Sequence, residues 1–347
     1  MAVERVLPEK LQMGDTIAFI SPSARLNLLL PAPLERAKVF VEGLGYHVKV
    51  YFNNQEPADF HDSVLQRCEE VHEAFRDTSV KAIICTIGGS NANELLPHLD
   101  YQLIKSHPKI FCGYSDITLL HYAILSQTGL QTFYGPTAFT DFADVPKPFQ
   151  FTVNHFLQVL KGSAGKAIGS VPRSPEWAQD MPDFFGNPSS QKARGRSPSP
   201  SWRWLRNGHA TGRWLGGCLP SLLRLTGTRF WPAHRGCILF LETPTGPDMK
   251  DPFSLGSARA CMADLVNVGV FEEIGGLVIG RPYGYDEEMR EEFAQLVADQ
   301  CYGTTFPILL NFDIGHTAPI LTLPMNAMVS MDSGKDEVRI LEPGVLG

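Results

Sequence analysis

The sequence lacks any uncharged apolar run of the roughly 18 residues that a membrane helix needs. Its beginning, MAVERVLPEKLQMGDTIAFISPSA, also lacks the basic region and following apolar stretch of a secretory signal. Basic residues are in deficit, since 30 Lys and Arg face 37 Asp and Glu, for a net charge of −7. That balance disfavours a nucleic-acid polymer, because binding to phosphate backbones depends on clustered Lys and Arg. These absences predict a cytoplasmic protein with no membrane partner and no nucleic-acid partner.

The cysteines lack the spacing of a metal site or a disulfide framework. There is no C-x-x-C pair and no neighbouring histidine at zinc spacing. The phosphate-binding patterns G-x-x-x-x-G-K-[ST] and G-x-G-x-x-G are missing as well. We therefore expect reduced thiols, no metal and no cofactor. The seven cysteines are Cys68, Cys85, Cys112, Cys218, Cys237, Cys261 and Cys301.

Strand-like and helix-like patterns alternate three times in the first half of the chain. DTIAFISPSA is followed by PLERAKVFVEGLGYHVKV, and the same order recurs in VHEAFRDTSVKAIICTIGGSNANELLPHL and PKIFCGYSDITLLHYAILSQTGL. Strands that alternate with helices of this length predict an α/β fold with a mainly parallel sheet. Ligands of such sheets bind at the carboxyl ends of the strands, where both a Gly-Gly pair and a serine stand.

The composition changes in the middle of the chain. Residues 162–208 are rich in Pro, Ser and Arg, so they fit either a plain linker or an ordered loop near a site. We favour the ordered loop, which would act partly as a lid, because aromatic side chains cost solubility on a bare linker. We predict an N-terminal domain at 1–161, this connecting segment at 162–208 and a β-rich α/β domain at 209–347, with a terminal antiparallel pair around DSGKD. The aromatic residues are Trp177, Phe184, Phe185, Trp202 and Trp204.

Ser115 stands between a predicted strand and a predicted helix in FCGYSDITLL. A serine at this point most often caps the helix, since its Oγ accepts a hydrogen bond from a free backbone N–H. The alternative is a nucleophile on a sharp turn, where backbone N–H groups and the helix dipole favour an oxyanion. Thr118 stands where a capping box has Glu or Gln, and Ile117 where the hydrolase pattern G-x-S-x-G has its second glycine. The residues alone leave both interpretations open.

A nucleophilic serine needs a general base, and the base needs a carboxylate that orients it. Most of the ten histidines, such as His72 and His121, lie in helical or polar contexts that indicate solvated or core-satisfied rings. His316 follows an apolar strand in FDIGHTAP, so its imidazole can project into a cleft. Glu242 ends the apolar strand CILFLE, where a carboxylate must be paired or reach water. Both a Ser-Glu-His triad and an ordinary strand-end carboxylate fit this pattern.

Seven ordered segments carry a resemblance to a known family. They are GDTIAFISPSA, TIGGSNANELLPHLDY, GYSDITLL with YGPTAF downstream, GRWLGGCLPSLLRLTGT, ILFLE, GLVIGRP and GHTAPILTLP. Together they resemble the LD-carboxypeptidases, peptidase family S66, especially the branch that contains the microcin C immunity protein. In that family an N-terminal Rossmann-like domain carries the serine, and a C-terminal domain carries the glutamate and the histidine. The resemblance therefore implies an active site at the interface of two domains.

The resemblance also implies roles for individual residues. Ser115 would be the nucleophile as well as a helix cap, with Glu242 as the orienting carboxylate and His316 as the general base. The implied oxyanion hole consists of backbone N–H groups, and no metal or cofactor takes part. The residues that would donate those N–H groups are Gly88, Gly89 and Asp116.

The implied reaction is hydrolysis of an amide or related acyl bond through an acyl-enzyme. The implied substrate is a small peptide or aminoacyl conjugate, and a homodimer is expected. In the immunity-protein branch a loop contributes stacking contacts to a nucleotide-like substrate, which makes Trp177 a candidate for substrate binding. Asn91 is the second candidate.

Two other functions remain open. The same acyl-enzyme could hydrolyse or cyclise an ester or thioester in a biosynthetic pathway, or the fold could bind a small molecule without turnover. An intact Ser, Glu and His set favours catalysis over binding. Cys218 stands where the family usually has Asn, Thr243 where an acidic residue is common, and Asn326 where Gly is usual. These departures leave the identity of the substrate open.

Overall fold

The computed structural model describes residues 4–55, 57–162 and 165–347. A six-stranded sheet forms the first half, in the order β14-β5-β4-β3-β1-β2. Its neighbours pair in parallel except for β14, which is antiparallel to β5. The strands are β1 (Thr16–Ile20), β2 (His47–Tyr51), β3 (Val80–Cys85), β4 (Ile110–Gly113), β5 (Phe133–Tyr134) and β14 (Leu323–Pro324).

Helices cover both faces of this first sheet, which explains why its central strands are almost continuous apolar runs. The strands β1 and β4 are buried at every position. Asp59 and Asp100 cap the helices that follow them, because each side chain accepts two backbone N–H groups of the first turn. The predicted parallel α/β sheet is confirmed. The helices are α1 (Pro31–Gly43), α2 (Phe60–Arg76), α3 (Tyr101–Ser106), α4 (Thr118–Thr128) and α5 (Gln150–Lys161).

A second sheet has eight strands, in the order β6-β16-β15-β10-β11-β12-β13-β9. The four strands from β10 to β13 are parallel, and the other neighbours pair antiparallel. The predicted antiparallel pair around DSGKD is β15 with β16. The strands are β6 (Gly169–Ser170), β9 (Arg203–Arg206), β10 (His209–Cys218), β11 (Ile238–Glu242), β12 (Gly276–Gly280), β13 (Ile308–Phe312), β15 (Met328–Asp332) and β16 (Glu337–Ile340), and the helices are α6 (Leu219–Leu223), α7 (Leu255–Asn267), α8 (Val270–Glu273) and α9 (Glu287–Gln300).

The connecting segment of 162–208 is ordered over its described residues. Its two ends supply β6 and β9 to the second sheet, and between them β7 (Glu176–Trp177) pairs with β8 (Ser197–Pro198). Phe184 packs into the core of the first domain, whereas Trp202 packs against Phe312 with their rings tilted by 36°. Two features differ from the predicted domain limits, because the ends of this segment belong to the second sheet and β14 crosses to the first. Both differences arise from pairing between strands far apart in sequence.

Other sequence expectations concern thiols, membranes and metals. All seven cysteines are free. Within the three described ranges, no helix is long and apolar enough to cross a membrane. The same part of the chain contains no group of three His, Cys, Asp or Glu side chains arranged to hold a metal ion.

Candidate active site

The serine turn lies where β4 ends. Tyr114 is extended, and Ser115 begins a short 3₁₀ helix, Ser115–Ile117, with φ of 64°. Positive φ is rare for a residue that has a Cβ, so the surrounding structure must hold this conformation. The Ser115 side chain caps neither this turn nor α4. The expectation that Ser115 is a helix cap is wrong, because this backbone conformation directs Oγ to a histidine instead.

A chain of hydrogen bonds joins the three predicted residues. Ser115 Oγ lies 2.9 Å from His316 Nε2, and His316 Nδ1 lies 2.8 Å from Glu242 Oε2. Glu242 ends β11 and is fully buried, whereas His316 is 7% exposed in the loop after β13. A Cβ built on Gly315, where φ is 110°, would lie 3.2 Å from Glu242 Cβ. Glycine at that position therefore lets the histidine loop approach the carboxylate closely.

Glu242 has a second partner. Tyr134, at the end of β5, donates its hydroxyl to Glu242 Oε1 over 2.6 Å. The same hydroxyl accepts the backbone N–H of Ser115 over 3.2 Å. Burial raises the pKa of Tyr134 well above its ordinary value, and the Glu242 carboxylate raises it further. The tyrosine therefore stays neutral, and both carboxylate oxygens are paired, as a buried carboxylate requires.

The Gly-Gly turn after β3 packs directly against the serine. A Cβ built on Gly88 would lie 2.8 Å from Ser115 Cβ, 3.0 Å from Oγ and 3.2 Å from the backbone nitrogen of Asp116. Only glycine fits at this position without displacing the serine. Gly89 has φ of 150° and lies against Ser23. The structure thus brings Gly88, Gly89 and Asp116 to one side of Ser115.

The side chain of Asp116 fixes this arrangement. It is fully buried and accepts hydrogen bonds from Ser23 Oγ (2.6 Å) and from the backbone N–H of Ala92 (2.8 Å). Its other oxygen pairs with Arg224, which follows α6 of the second domain. Asn91 lies beside the same group, since its Oδ1 is 3.2 Å from Ser23 Oγ. Asn91 is thus placed at the Gly-Gly turn, and its contact with substrate remains a prediction.

Two family models match this chain. Residues 17–135 match the model of the LD-carboxypeptidase N-terminal domain, and residues 211–331 match that of the C-terminal domain. The chain belongs to the LD-carboxypeptidase family, peptidase family S66. It is therefore an enzyme of a carboxypeptidase family, as predicted.

Two curated relatives of the LD-carboxypeptidase family match over almost the full chain. The microcin C7 self-immunity protein MccF of Escherichia coli is 28% identical over 97% of this chain and 96% of MccF. A protein of Bacillus subtilis, named as a probable murein peptide carboxypeptidase, is 30% identical over 97% of this chain and 95% of that protein. The family thus includes proteins named for two different substrates.

Solved structures of the family share the whole fold. MccF in complex with aspartyl sulfamoyl adenosine matches with a TM-score of 0.86 and 27% identity, covering 98% of this chain and 99% of that chain. An MccF-like protein from Bacillus anthracis matches with a TM-score of 0.85 and 34% identity, covering 97% and 99%. The predicted two-domain α/β fold is confirmed.

Trp177 lies close to the histidine loop but is covered. Its ring is 3% exposed, and the guanidinium groups of Arg281 and Arg290 lie 5.7 and 5.8 Å from its centroid. The next residue, Ala178, exchanges two backbone hydrogen bonds with Ala318, just beyond the general-base candidate. Stacking of Trp177 on a substrate therefore requires the connecting segment to move, and its role remains a prediction.

Sequence reasoning missed two hydroxyl groups beside the serine. One is Tyr134, described above. The other is Thr118, whose Oγ1 donates to the Ser115 carbonyl over 2.6 Å and accepts the backbone N–H of Cys218 over 3.0 Å. Tyr134 did carry a signal, since FYGP places it at a strand end just before a Gly-Pro turn. Thr118 carried none, because a threonine in the first turn of a helix is ordinary.

Proposed function

We propose that this protein is a serine hydrolase that cleaves an amide or related acyl bond in a small peptide or aminoacyl conjugate through an acyl-enzyme. The observation that carries the proposal is the continuous path from Ser115 Oγ through His316 to Glu242, with both links below 3 Å. The three side chains come from two sheets and meet only at their interface. Such convergence of a nucleophile, a base and an orienting acid is typical of acyl transfer.

Each group has a defined part in the proposed reaction. Ser115 Oγ attacks the substrate carbonyl while His316 Nε2 accepts its proton, and Glu242 stabilises the imidazolium through Nδ1–H. His316 then protonates the leaving group. A water molecule, deprotonated by the same imidazole, hydrolyses the acyl-enzyme.

Backbone N–H groups of Gly88, Gly89 and Asp116 would stabilise the oxyanion. The close packing of the Gly-Gly turn on the serine supports this assignment, since a Cβ on Gly88 would lie 3.0 Å from Oγ and 3.2 Å from the backbone nitrogen of Asp116. The N–H of Ser115 itself is directed to Tyr134 and so is not available to the oxyanion. The hole therefore depends on the glycine turn and on the residue after the nucleophile.

The class of substrate follows from the family. MccF binds aspartyl sulfamoyl adenosine in a solved structure, and another relative is named for murein peptides. In both kinds of molecule a small acyl group is joined to nitrogen, which is the bond that the proposed triad would attack. The unchanged triad supports hydrolysis. Cys218 pairs with Glu242 at the end of the neighbouring strand and Thr243 follows Glu242, and these two departures from the usual family residues leave the identity of the substrate open.

The proposal is tested by offering the purified protein three compounds and reading the products by mass spectrometry. They are aspartyl sulfamoyl adenosine, a murein tetrapeptide and p-nitrophenyl acetate. We expect hydrolysis of at least one, and a loss of more than about 1,000-fold in Ser115→Ala, because removing the nucleophile removes the covalent route. Retained turnover in folded Ser115→Ala would show that the nucleophile is another group.

A further inference from the structure

Two hydroxyl groups hold the peptide units on either side of the serine. The N–H of Ser115 donates to Tyr134 Oη over 3.2 Å, and the carbonyl of Ser115 accepts from Thr118 Oγ1 over 2.6 Å. Both side chains are fully buried. The backbone of the nucleophile is therefore held on both sides by side-chain oxygens, in addition to the 3₁₀ hydrogen bond from the backbone N–H of Thr118 to the Ser115 carbonyl.

Each hydroxyl also reaches the second sheet. Tyr134 donates to Glu242 Oε1, and Thr118 accepts the backbone N–H of Cys218. Cys218 and Glu242 are directly paired at the ends of β10 and β11. The two hydroxyls thus connect the serine turn of the first sheet to one rung of the second sheet.

The direction of these four hydrogen bonds is settled by proton counting. A hydroxyl has one proton to donate, and a backbone N–H can only donate. Tyr134 gives its proton to the carboxylate and accepts from Ser115, whereas Thr118 gives its proton to the Ser115 carbonyl and accepts from Cys218. All four bonds form together, and each hydroxyl uses its single proton.

The strained backbone of Ser115 needs these hydrogen bonds to hold its conformation. A φ of 64° on a residue with a Cβ is unfavourable on its own and persists only where neighbouring contacts hold it. Close approach of the second sheet is required, and Gly217 permits it, because a Cβ there would lie 2.5 Å from Thr118 Oγ1. The bonds from Tyr134 and Thr118 to the Ser115 backbone lie within the first domain, whereas the bonds of the same hydroxyls to Glu242 and Cys218 form where the two sheets pack together.

We propose that Tyr134 and Thr118 are positioning residues that set the geometry of the nucleophile and couple it to the orienting carboxylate across the domain interface. The inference rests on the proposed function, since it assigns the parts of that same triad. Tyr134 acts through Glu242 and the Ser115 N–H, and Thr118 acts through the Ser115 carbonyl. Neither side chain touches the reacting atoms.

The test uses an ethoxy fluorophosphonate, which needs no knowledge of the natural substrate. Ser115 Oγ forms a bond to phosphorus, fluoride leaves, and the serine proton passes to His316. The labelling rate therefore reports how well the nucleophile is positioned and activated. It is followed on the intact protein by mass spectrometry between pH 5 and 9, with Ser115→Ala as the unlabelled reference.

Tyr134→Phe removes one hydroxyl and keeps the ring. We expect labelling to slow about 10-fold to 100-fold, since a hydrogen bond to a buried charge is lost. The acid limb of the pH profile should also move, because Glu242 Oε1 loses its hydrogen-bond donor in the variant and the carboxylate that orients His316 is changed. The titratable groups that face Glu242 are His316, Tyr134, Cys218 and Tyr114.

Tyr285→Phe is the matched control. Tyr285 is also fully buried and donates over 2.6 Å, but to the carbonyl of Phe253. This variant should keep the wild-type labelling rate and pH profile, although it loses a buried hydrogen bond of similar length. A purely structural role of Tyr134 would make the two variants behave alike, with lower thermal stability and an unmoved pH profile.

Thr118 is tested by a pair of variants that separates hydroxyl from shape. Thr118→Val keeps the branched shape and loses both hydrogen bonds, so labelling should slow about 3-fold to 10-fold. Thr118→Ser keeps the hydroxyl and should recover most of the rate. If Tyr134→Phe fails to fold, this pair decides the proposal.

The outcomes distinguish failure of the proposed function from failure of this inference alone. Wild-type labelling no faster than that of Ser115→Ala would overturn the proposed function and this inference with it. Rapid labelling of wild type, absent in Ser115→Ala but unchanged in rate and pH profile in Tyr134→Phe and Thr118→Val, would overturn the inference alone.

Discussion

The serine turn and the connecting segment are both irregular in backbone, yet they are held by different forces. The turn is held by hydrogen bonds with neutral hydroxyls and by packing against glycines. The connecting segment is held largely by arginines, as in the buried pair of Arg194 with Asp144 and the guanidinium of Arg173 over Trp202. A hydroxyl with one proton positions a single partner, whereas a guanidinium with five donors in a rigid fork binds several acceptors at once. The turn is thus held by neutral groups and the segment by charged ones.

The largest effect should come from breaking the serine turn's link to its base. His316→Ala should lower turnover by about 10,000-fold or more, and Ser115→Ala by a similar factor. The double variant should be little slower than either single variant, because the residues act as one unit. Steady-state rates of the three proteins on one hydrolysed substrate give the comparison.

A double variant slower than either single variant by the product of both factors would contradict this expectation. The two residues would then contribute independently, and the hydrogen bond between them would have no catalytic meaning. Circular dichroism of each variant controls for loss of fold.

The next largest effect concerns the arginines of the connecting segment. Arg194→Met should lower the free energy of unfolding by about 3 to 5 kcal/mol, because it leaves Asp144 buried without its cation. Urea denaturation measures the change. Arg196→Met is the matched control, since its pair with Glu176 is exposed and should contribute at most about 1 kcal/mol.

Equal destabilisation by the two arginine variants would contradict the expected difference between the buried ion pair of Arg194 and the exposed ion pair of Arg196. It would mean that the segment is held by its edge strands rather than by its buried charge pair. Turnover on p-nitrophenyl acetate should stay near the wild-type value in Arg196→Met.

These particular residues also show what the sequence could predict. Ser115, Glu242 and His316 were candidates because each lies at or just after an apolar strand, and the family resemblance then assigned them to one triad. The cap assigned to Ser115 was wrong, because local patterns do not reveal a positive φ that is imposed by a neighbouring sheet. The limits of the connecting segment could not be foreseen, because β6 and β9 pair with strands more than 100 residues away.

Acid should weaken the frame of the serine turn. His121 bonds to the carbonyl of Gly113 and to Thr132, and burial lowers its pKa to about 4. The unfolded state takes up this proton near pH 6.5, so stability present above that pH is lost as the pH falls towards 4. The loss amounts to at most about 3 kcal/mol. Thermal melts of wild type at pH 7 and pH 4.5 measure it.

His121→Gln separates this histidine from the other titrating groups. The amide keeps a donor and an acceptor but binds no proton near neutrality. The variant should be less stable than wild type at pH 7 and lose less on acidification. Identical acid-induced losses in Tm would show that His121 does not titrate with unfolding.

The smallest effect tests the lid function of the connecting segment. If Trp177 stacks on a nucleotide-like part of the substrate, Trp177→Ala should raise KM for aspartyl sulfamoyl adenosine. The increase should correspond to a loss of about 1 to 3 kcal/mol of binding free energy. Turnover of p-nitrophenyl acetate, which is too small to reach the ring, should change little. Trp204→Ala is the control, since that ring donates to Asp336 at the far end of the second sheet.

A lid is supported if Trp177→Ala raises KM for aspartyl sulfamoyl adenosine but hardly changes the kinetics of p-nitrophenyl acetate, and if Trp204→Ala changes neither. A similar change in KM for both compounds would instead show that Trp177 only packs against Arg281 and Arg290. A thermal melt on the same samples separates misfolding from weaker binding.

The crossing strand β14 limits how a substrate can reach the serine. After the loop of His316, the chain pairs with β5, bonds Met325 N–H to Thr132 and, at the next residue, bonds Asn326 N–H to Trp214 of the second sheet. One peptide unit thus spans from one sheet to the other, and it cannot stretch beyond about 3.8 Å between Cα atoms. The two sheets cannot separate by a hinge motion without breaking one of these two backbone hydrogen bonds. Substrate and product must therefore reach the partly exposed Ser115 without a separation of the two sheets.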